Sequence, residues 1–202
     1  MERSHYIKSY IEAAKGQSSG SGVPPWCKDF LSSFATTLAS NSRSASGGDR
    51  YFVVSAFREA FSHVIPGNTM LKTEVEIGNY LSKRYSKKCS NLIKRKRIDF
   101  VIERPGYGVQ FVEFKSNLTF NDLAAAMVEM QIIKKFVLNS KNRRIHTASL
   151  HLFPGRTNVA ALREFNKVMG LPIDDIWVFC TGPKVAFDIK EIKGFRSSIA
   201  SL

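Results

Sequence analysis

A chain of 202 residues, 44% hydrophobic and 23% charged, is large enough for one globular domain with a core and a short appendage. Thirty Lys and Arg against seventeen Asp and Glu give a formal charge of +13 and a pI near 9.8, a field that attracts polyanions, nucleic acid first among them. The three widely spaced cysteines, Cys27, Cys89 and Cys180, argue against a zinc site or a disulfide framework. With no apolar signal segment and no apolar run near the ~20 residues of a membrane span, the expectation is a soluble intracellular protein without a membrane partner, cytoplasmic or nucleoid-associated, or inside the host cell if viral.

Two Ser/Gly-rich stretches, 16–25 and 40–50, have the composition of flexible connectors, and PWCKDFLSSFATTLAS between them fits one amphipathic helix. Residues 1–48 are therefore expected to form a helical N-terminal extension, and residues 49–202 the main domain. DRYFVVSAFREAFSHVI sets Val53, Phe57, Ala60, Phe61 and Val64 on one helical stripe that stops at Pro66-Gly67. A second helix is expected over 71–86. RIDFVIERP and GVQFVEFKS read as strands joined as a hairpin through Pro105-Gly106-Tyr107-Gly108. Thr119 to Asp122 fits a capping box opening the helix DLAAAMVEMQIIKKFVLN. TASLHLF is a strand, NVAALREFNKVMG a helix with Gly170 as its cap, and IWVFC with KVAFDI a further hairpin. This order predicts an α/β (α+β) fold, a mixed central sheet flanked by helices.

The chemistry concentrates on one hairpin. GVQFVEFKS is apolar on both faces through Val109, Phe111, Val112 and Phe114, yet carries Glu113 and Lys115 two residues apart and so on one face. Asp99 is likewise embedded between Ile98 and Phe100, and a hairpin brings it near Glu113. Two carboxylates that close repel unless a proton or a divalent cation lies between them, and an all-oxygen ligand set suits Mg²⁺. Lys115 beside them is positioned to orient or deprotonate a water, or to steady the charge on a phosphate. The structural alternative is an ion pair at a strand end with Asp99 in a turn.

Asp99 followed by Glu113-Phe114-Lys115 resembles the D…(D/E)xK signature of the PD-(D/E)xK nuclease superfamily, the restriction-endonuclease-like fold. The resemblance spans about residues 70–155 and includes the element order: a helix before, a hydrophobic strand bearing E-x-K, and a long helix after. Ile98 stands before the Asp, a position the family pattern gives to Pro. The resemblance implies a Mg²⁺-dependent endonuclease, Mn²⁺ substituting, that hydrolyses DNA phosphodiester bonds. Asp99, Glu113 and the main-chain carbonyl of Phe114 would hold the metal, with Lys115 assisting. Such sites often add an acid from the preceding helix. On a helix over 71–86, Glu74 shares the inward stripe with Ile77, Gly78, Leu81 and Tyr85, whereas Glu76 and Glu59 point away. Glu74 is therefore the expected third acid and metal ligand; the alternative is a first-turn Glu answering the helix dipole.

Basic residues flank this group. Lys83, Arg84, Lys87 and Lys88, then Lys94, Arg95, Lys96 and Arg97, lead into the Asp99 strand, and Lys134, Lys135, Arg143 and Arg144 form a second patch. Both are expected to hold nucleic-acid phosphates, DNA being the expected partner; a merely solvated face is the alternative. His63, His146, His151 and Gln131 are expected to be structural or exposed. A homodimer fits, because cutting two strands needs two sites. No GxxxxGK[ST], GxGxxG or Gly-x-Ser-x-Gly motif is present. The rival from another class is a non-catalytic nucleic-acid-binding protein on the same fold, which would bind without a metal and cut nothing.

Overall fold

A computed structural model of the chain describes residues 5–44, 48–81, 83, 87, 90–137, 144–153, 158–181 and 186–202. Two compact units divide it: residues 1–66 with 179–196, and residues 67–178 with 197–202. The division falls at 66/67, beyond the change of composition at 48/49, because α3 packs with the helices before it.

In the first unit α1 (His5–Ser18), α2 (Pro25–Ser44) and α3 (Asp49–Ala60) enclose an aromatic core. Phe30 meets Phe57 edge-on at 5.9 Å, the quadrupole-favoured arrangement. The Ser/Gly-rich stretch at 16–25 is partly helical, α1 running to Ser18 and α2 opening at Pro25, so that only residues 19–24 connect them. Gln17, near the end of α1, donates through its side chain to the Phe187 carbonyl and accepts the Phe187 N–H, both at 2.7 Å.

The second unit is built on a five-stranded mixed sheet of β1 (Met70–Glu76), β2 (Arg97–Arg104), β3 (Gly108–Asn117), β4 (Arg144–Phe153) and β5 (Asp175–Val178), in that order. The pairs β1–β2 and β2–β3 are antiparallel; β3–β4 and β4–β5 are parallel. Gly106, at φ +82, makes the tight turn of the β2–β3 hairpin. A short α4 (Asn91–Lys94) precedes β2, with Ser90 accepting the Ile93 N–H as its cap. The connection from β3 to β4 is α5 (Phe120–Phe136), opened by Thr119 Oγ1 accepting the Asp122 N–H at 3.1 Å. Leu123, Ala126, Met127, Met130 and Ile133 of α5 are buried in one core with Val101, Val109 and Phe111 of the sheet, where each large side chain contributes about 1.5–3 kcal/mol. Helix α6 (Val159–Val168) starts at the Asn158 cap and ends before Gly170 at φ +80, as its sequence predicts.

The helix expected over 71–86 is not formed over 70–76, where β1 lies, followed by a 3-10 turn at Ile77–Tyr80. β1 is an edge strand, largely exposed, so no buried face imposes a period-two pattern. Gly78 is required by a close approach: a Cβ there would lie 2.9 Å from the Lys94 carbonyl oxygen. Lys83 and Lys87 are helical; Ser82, Arg84, Tyr85 and Ser86 lie outside the described residues.

The second expected hairpin is also divided. Asp175–Val178 joins the main sheet as β5, and only β6 (Cys180–Thr181) pairs with β7 (Ala186–Phe187). A helix absent from the expectations, α7 (Ile189–Ala200), follows, with Ile192, Phe195 and Ile199 buried. Cys27 and Cys180 are buried free thiols. Among the described residues no helix is long and apolar enough to cross a membrane.

Candidate active site

The β2–β3 ladder runs from Arg104–Gly108 to Phe100–Val112. Beyond that point β2 stays paired with β1 to Arg97, and β3 with β4 to Asn117. The two strands therefore part, and Asp99, Glu113 and Lys115 stand where they do. The side chain of Asp99 bridges the gap, its Oδ2 accepting the Phe114 N–H at 2.9 Å. Continuing the register sets Asp99 opposite Glu113. Period two puts both, with Lys115, on the sheet face that Val101 and Phe111 share with α5. The three residues singled out from the sequence are thus brought together.

Glu113 is 3% exposed. Its Oε1 accepts from Lys115 Nζ at 2.6 Å, while its Oε2 is buried with no hydrogen-bond partner. Burial, reinforced by the charge of Asp99, pushes its carboxyl up to about 8 against the opposing pull of Lys115. Burial pulls the Lys115 ammonium down, but its hydrogen bond to Glu113 and the charges of Glu113, Glu129 and Asp99 outweigh it and hold it up. A sealed carboxylate oxygen with no donor is costly, and a proton or a cation is what satisfies it.

Glu129, which the sequence reading missed, belongs to this group. It rises from α5, binds Lys96 Nζ through Oε1 at 2.6 Å, and has its Oε2 buried without a partner. Its charge contributes to the upward push on both Glu113 and Lys115. The available signal was an acid inside the apolar helical run AAAMVEMQII.

On β4 the register sets Ser149 beside Glu113 and His151 beside Lys115. His151 is fully buried; burial lowers it to about 4 and leaves it neutral at neutral pH. Its Nδ1 lies 2.9 Å from the Asn117 carbonyl, so this nitrogen donates and Nε2 accepts the Ser149 hydroxyl at 2.8 Å. The pair shares the sheet face of Glu113 and Lys115. His146 pairs with Asp175 at 2.9 Å, and His63 and Gln131 are exposed.

Glu74 lies on strand β1 and is exposed, so the inward helical stripe that singled it out does not exist. It nevertheless stands opposite Asp99, between the Thr73–Phe100 and Val75–Ile98 pairs, with φ +50, a value rare for an L residue. Lys94 and Lys96 are half-buried, and Arg95, Arg97, Lys83 and Lys87 exposed. Arg84, Lys88 and Arg143 lie outside the described residues. Lys134 is engaged by Asp174 at 2.6 Å and the Leu171 carbonyl at 2.8 Å, while Lys135 is exposed. Arg144 pairs with Gly108, at the opposite end of β3 from Lys115, roughly 23 Å away at ~3.3 Å per residue.

Among the described residues no three His, Cys, Asp or Glu side chains form a preformed metal-binding group. Among the described residues the buried carboxylate oxygens left without partners are one on Glu113 and one on Glu129, and hard oxygen donors of this kind fit a divalent cation such as Mg²⁺. Comparison with protein-family models, curated proteins and solved structures gives no match.

Proposed function

We propose that this protein is a divalent-metal-dependent nuclease that hydrolyses DNA phosphodiester bonds at Asp99, Glu113 and Lys115. The observation that carries this reading is the buried, partnerless Oε2 of Glu113, at a break between strands where Asp99 and a charged Lys115 converge. The D…ExK spacing, which resembles the PD-(D/E)xK signature, supports it, and on this reading the sheet with α5 is a restriction-endonuclease-like core. Asp99 and Glu113, with the Phe114 carbonyl, would hold the metal. When bound, Mg²⁺, or Mn²⁺ in its stead, supplies polarisation of the scissile phosphate and a more acidic water.

The chain's own residues do the rest. Asp99 fixes the β3 backbone at Phe114 while presenting its carboxylate to the gap. Lys115 orients the attacking water or offsets negative charge developing on the phosphate. The run at 94–97, with Lys83 and Lys87, grips the DNA backbone with a strong dependence on salt. A homodimer would provide one site per strand. Lys115→Ala tests the reading: cleavage falls by roughly 10²–10³-fold with DNA binding retained. A variant that cuts at the wild-type rate refutes the role of Lys115. Tight binding by the wild type without any cutting would favour the non-catalytic binder.

A further inference from the structure

The acids and lysines of the site are unevenly matched. Glu113 and Glu129 each give one oxygen to a lysine at 2.6 Å and keep the other buried with no donor. Glu113, at 3% exposure, is shielded from bulk solvent. The lysines differ from one another. Lys115 shares a strand face with Glu113, two residues away, and remains with it. Lys96 comes from the loop before β2, and 39% of its side chain is exposed. Its backbone is fixed by the Ile77 N–H donating to its carbonyl at 2.9 Å, so only its flexible four-carbon stem has to move for the ammonium to reach solvent.

We propose that Glu129 is a ligand of the divalent cation, sharing it with Glu113, and that Lys96 is the counter-ion held by Glu129 until the cation displaces it. The inference rests on the metal-dependent reading above but assigns a ligand from the helix after the E-x-K strand, which that reading does not require. The exchange replaces one positive charge by two next to two sealed oxygens. The released ammonium rejoins the basic run at 94–97, where a phosphate can take it up.

The test is Mn²⁺ binding to the full chain without nucleic acid, read from the electron paramagnetic resonance signal of free Mn²⁺. The variants are Glu129→Gln, Lys96→Met and Asp99→Asn, each checked for its melting temperature in EDTA. Glu129→Gln raises the Kd for Mn²⁺ at least tenfold. Lys96→Met, which removes the competitor and keeps the stem, lowers it several-fold. A packing role for Glu129 does not produce these opposite signs in the two members of the Lys96–Glu129 pair. If Glu129→Gln binds Mn²⁺ like the wild type while Asp99→Asn loses it, the inference fails and the nuclease reading stands. If the wild type neither binds Mn²⁺ nor cuts DNA, both fall. Weaker Mn²⁺ binding by Lys96→Met overturns the counter-ion role.

Discussion

Asp99 Oδ2 lies 2.9 Å from the Phe114 nitrogen, at the point where the ladder between their strands has ended at Phe100–Val112. One carboxylate therefore both secures the backbone of the E-x-K strand and brings negative charge into the gap. Asp99→Asn keeps an acceptor for the Phe114 N–H and removes the charge; Asp99→Ala removes both. Both variants lose cleavage. In denaturant unfolding the Ala variant is less stable than the Asn variant by about 1 kcal/mol, the ordinary net worth of a hydrogen bond. Equal stability of the two would show that the contact does not matter to the fold.

Glu74 and Glu129 are rivals for the third acid. Glu74 is exposed on an edge strand, whereas Glu129 keeps one carboxylate oxygen buried without a partner and its charge acts on both Glu113 and Lys115. Glu74→Gln should leave the single-turnover cleavage rate within about twofold, in line with the small effects typical of exposed substitutions. A loss as deep as that of Asp99→Asn would return Glu74 to the site.

The helix bearing Glu129 starts at the Thr119 cap. Thr119→Ala removes that acceptor and should lower stability by about 1 kcal/mol, measured by urea unfolding in EDTA. An unchanged midpoint would mean that packing alone sets the helix start.

Two buried groups make stability pH-dependent in opposite senses. Glu113 is raised to about 8 in the fold, so its stabilising contribution is present at low pH and is lost as pH rises towards 8. His151 is lowered to about 4, so its contribution is present above its ordinary value of ~6.5 and is lost as pH falls towards 4. Of the two, only Glu113 titrates between pH 6.5 and 8. In EDTA stability should therefore decline across that window, by at most ~1.4 kcal/mol per pH unit for one proton. Glu113→Gln should flatten the decline there while still losing stability below pH 6.5 through His151. A decline that persists in Glu113→Gln would assign it to another group.

The hairpin and the convergence of Asp99, Glu113 and Lys115 on it were legible in the sequence because they are over-determined. Gly106 and Pro105 mark the turn, Val109 to Phe114 mark a buried strand, and two charges inside that run have no ordinary reason to be there. Thr119 and Gly170 announced their helix ends through local hydrogen bonding and backbone conformation. β1 was hidden because an exposed edge strand has no buried face to impose alternation, and Glu74, Ile77 and Leu81 imitate a helical stripe. Phe179 lies between the end of β5 at Val178 and the start of β6 at Cys180, within a continuous apolar run, so composition could not divide IWVFC. Glu129 was passed over because the stripe of Leu123, Ala126, Met130 and Ile133 explains its helix without it. Its meaning depends on Lys96 and Glu113, which only the tertiary fold brings to it.

The most direct measurement is cleavage of labelled linear, supercoiled and branched DNA in Mg²⁺, Mn²⁺ or EDTA, with wild type and Asp99→Asn prepared in parallel. Cutting by the wild type in either metal, absent in EDTA and lost in the variant, is the expected result, and the preferred substrate then identifies the target. DNA binding with no cutting in any metal, or cutting that Asp99→Asn leaves intact, would contradict a nuclease centred on this gap between β2 and β3.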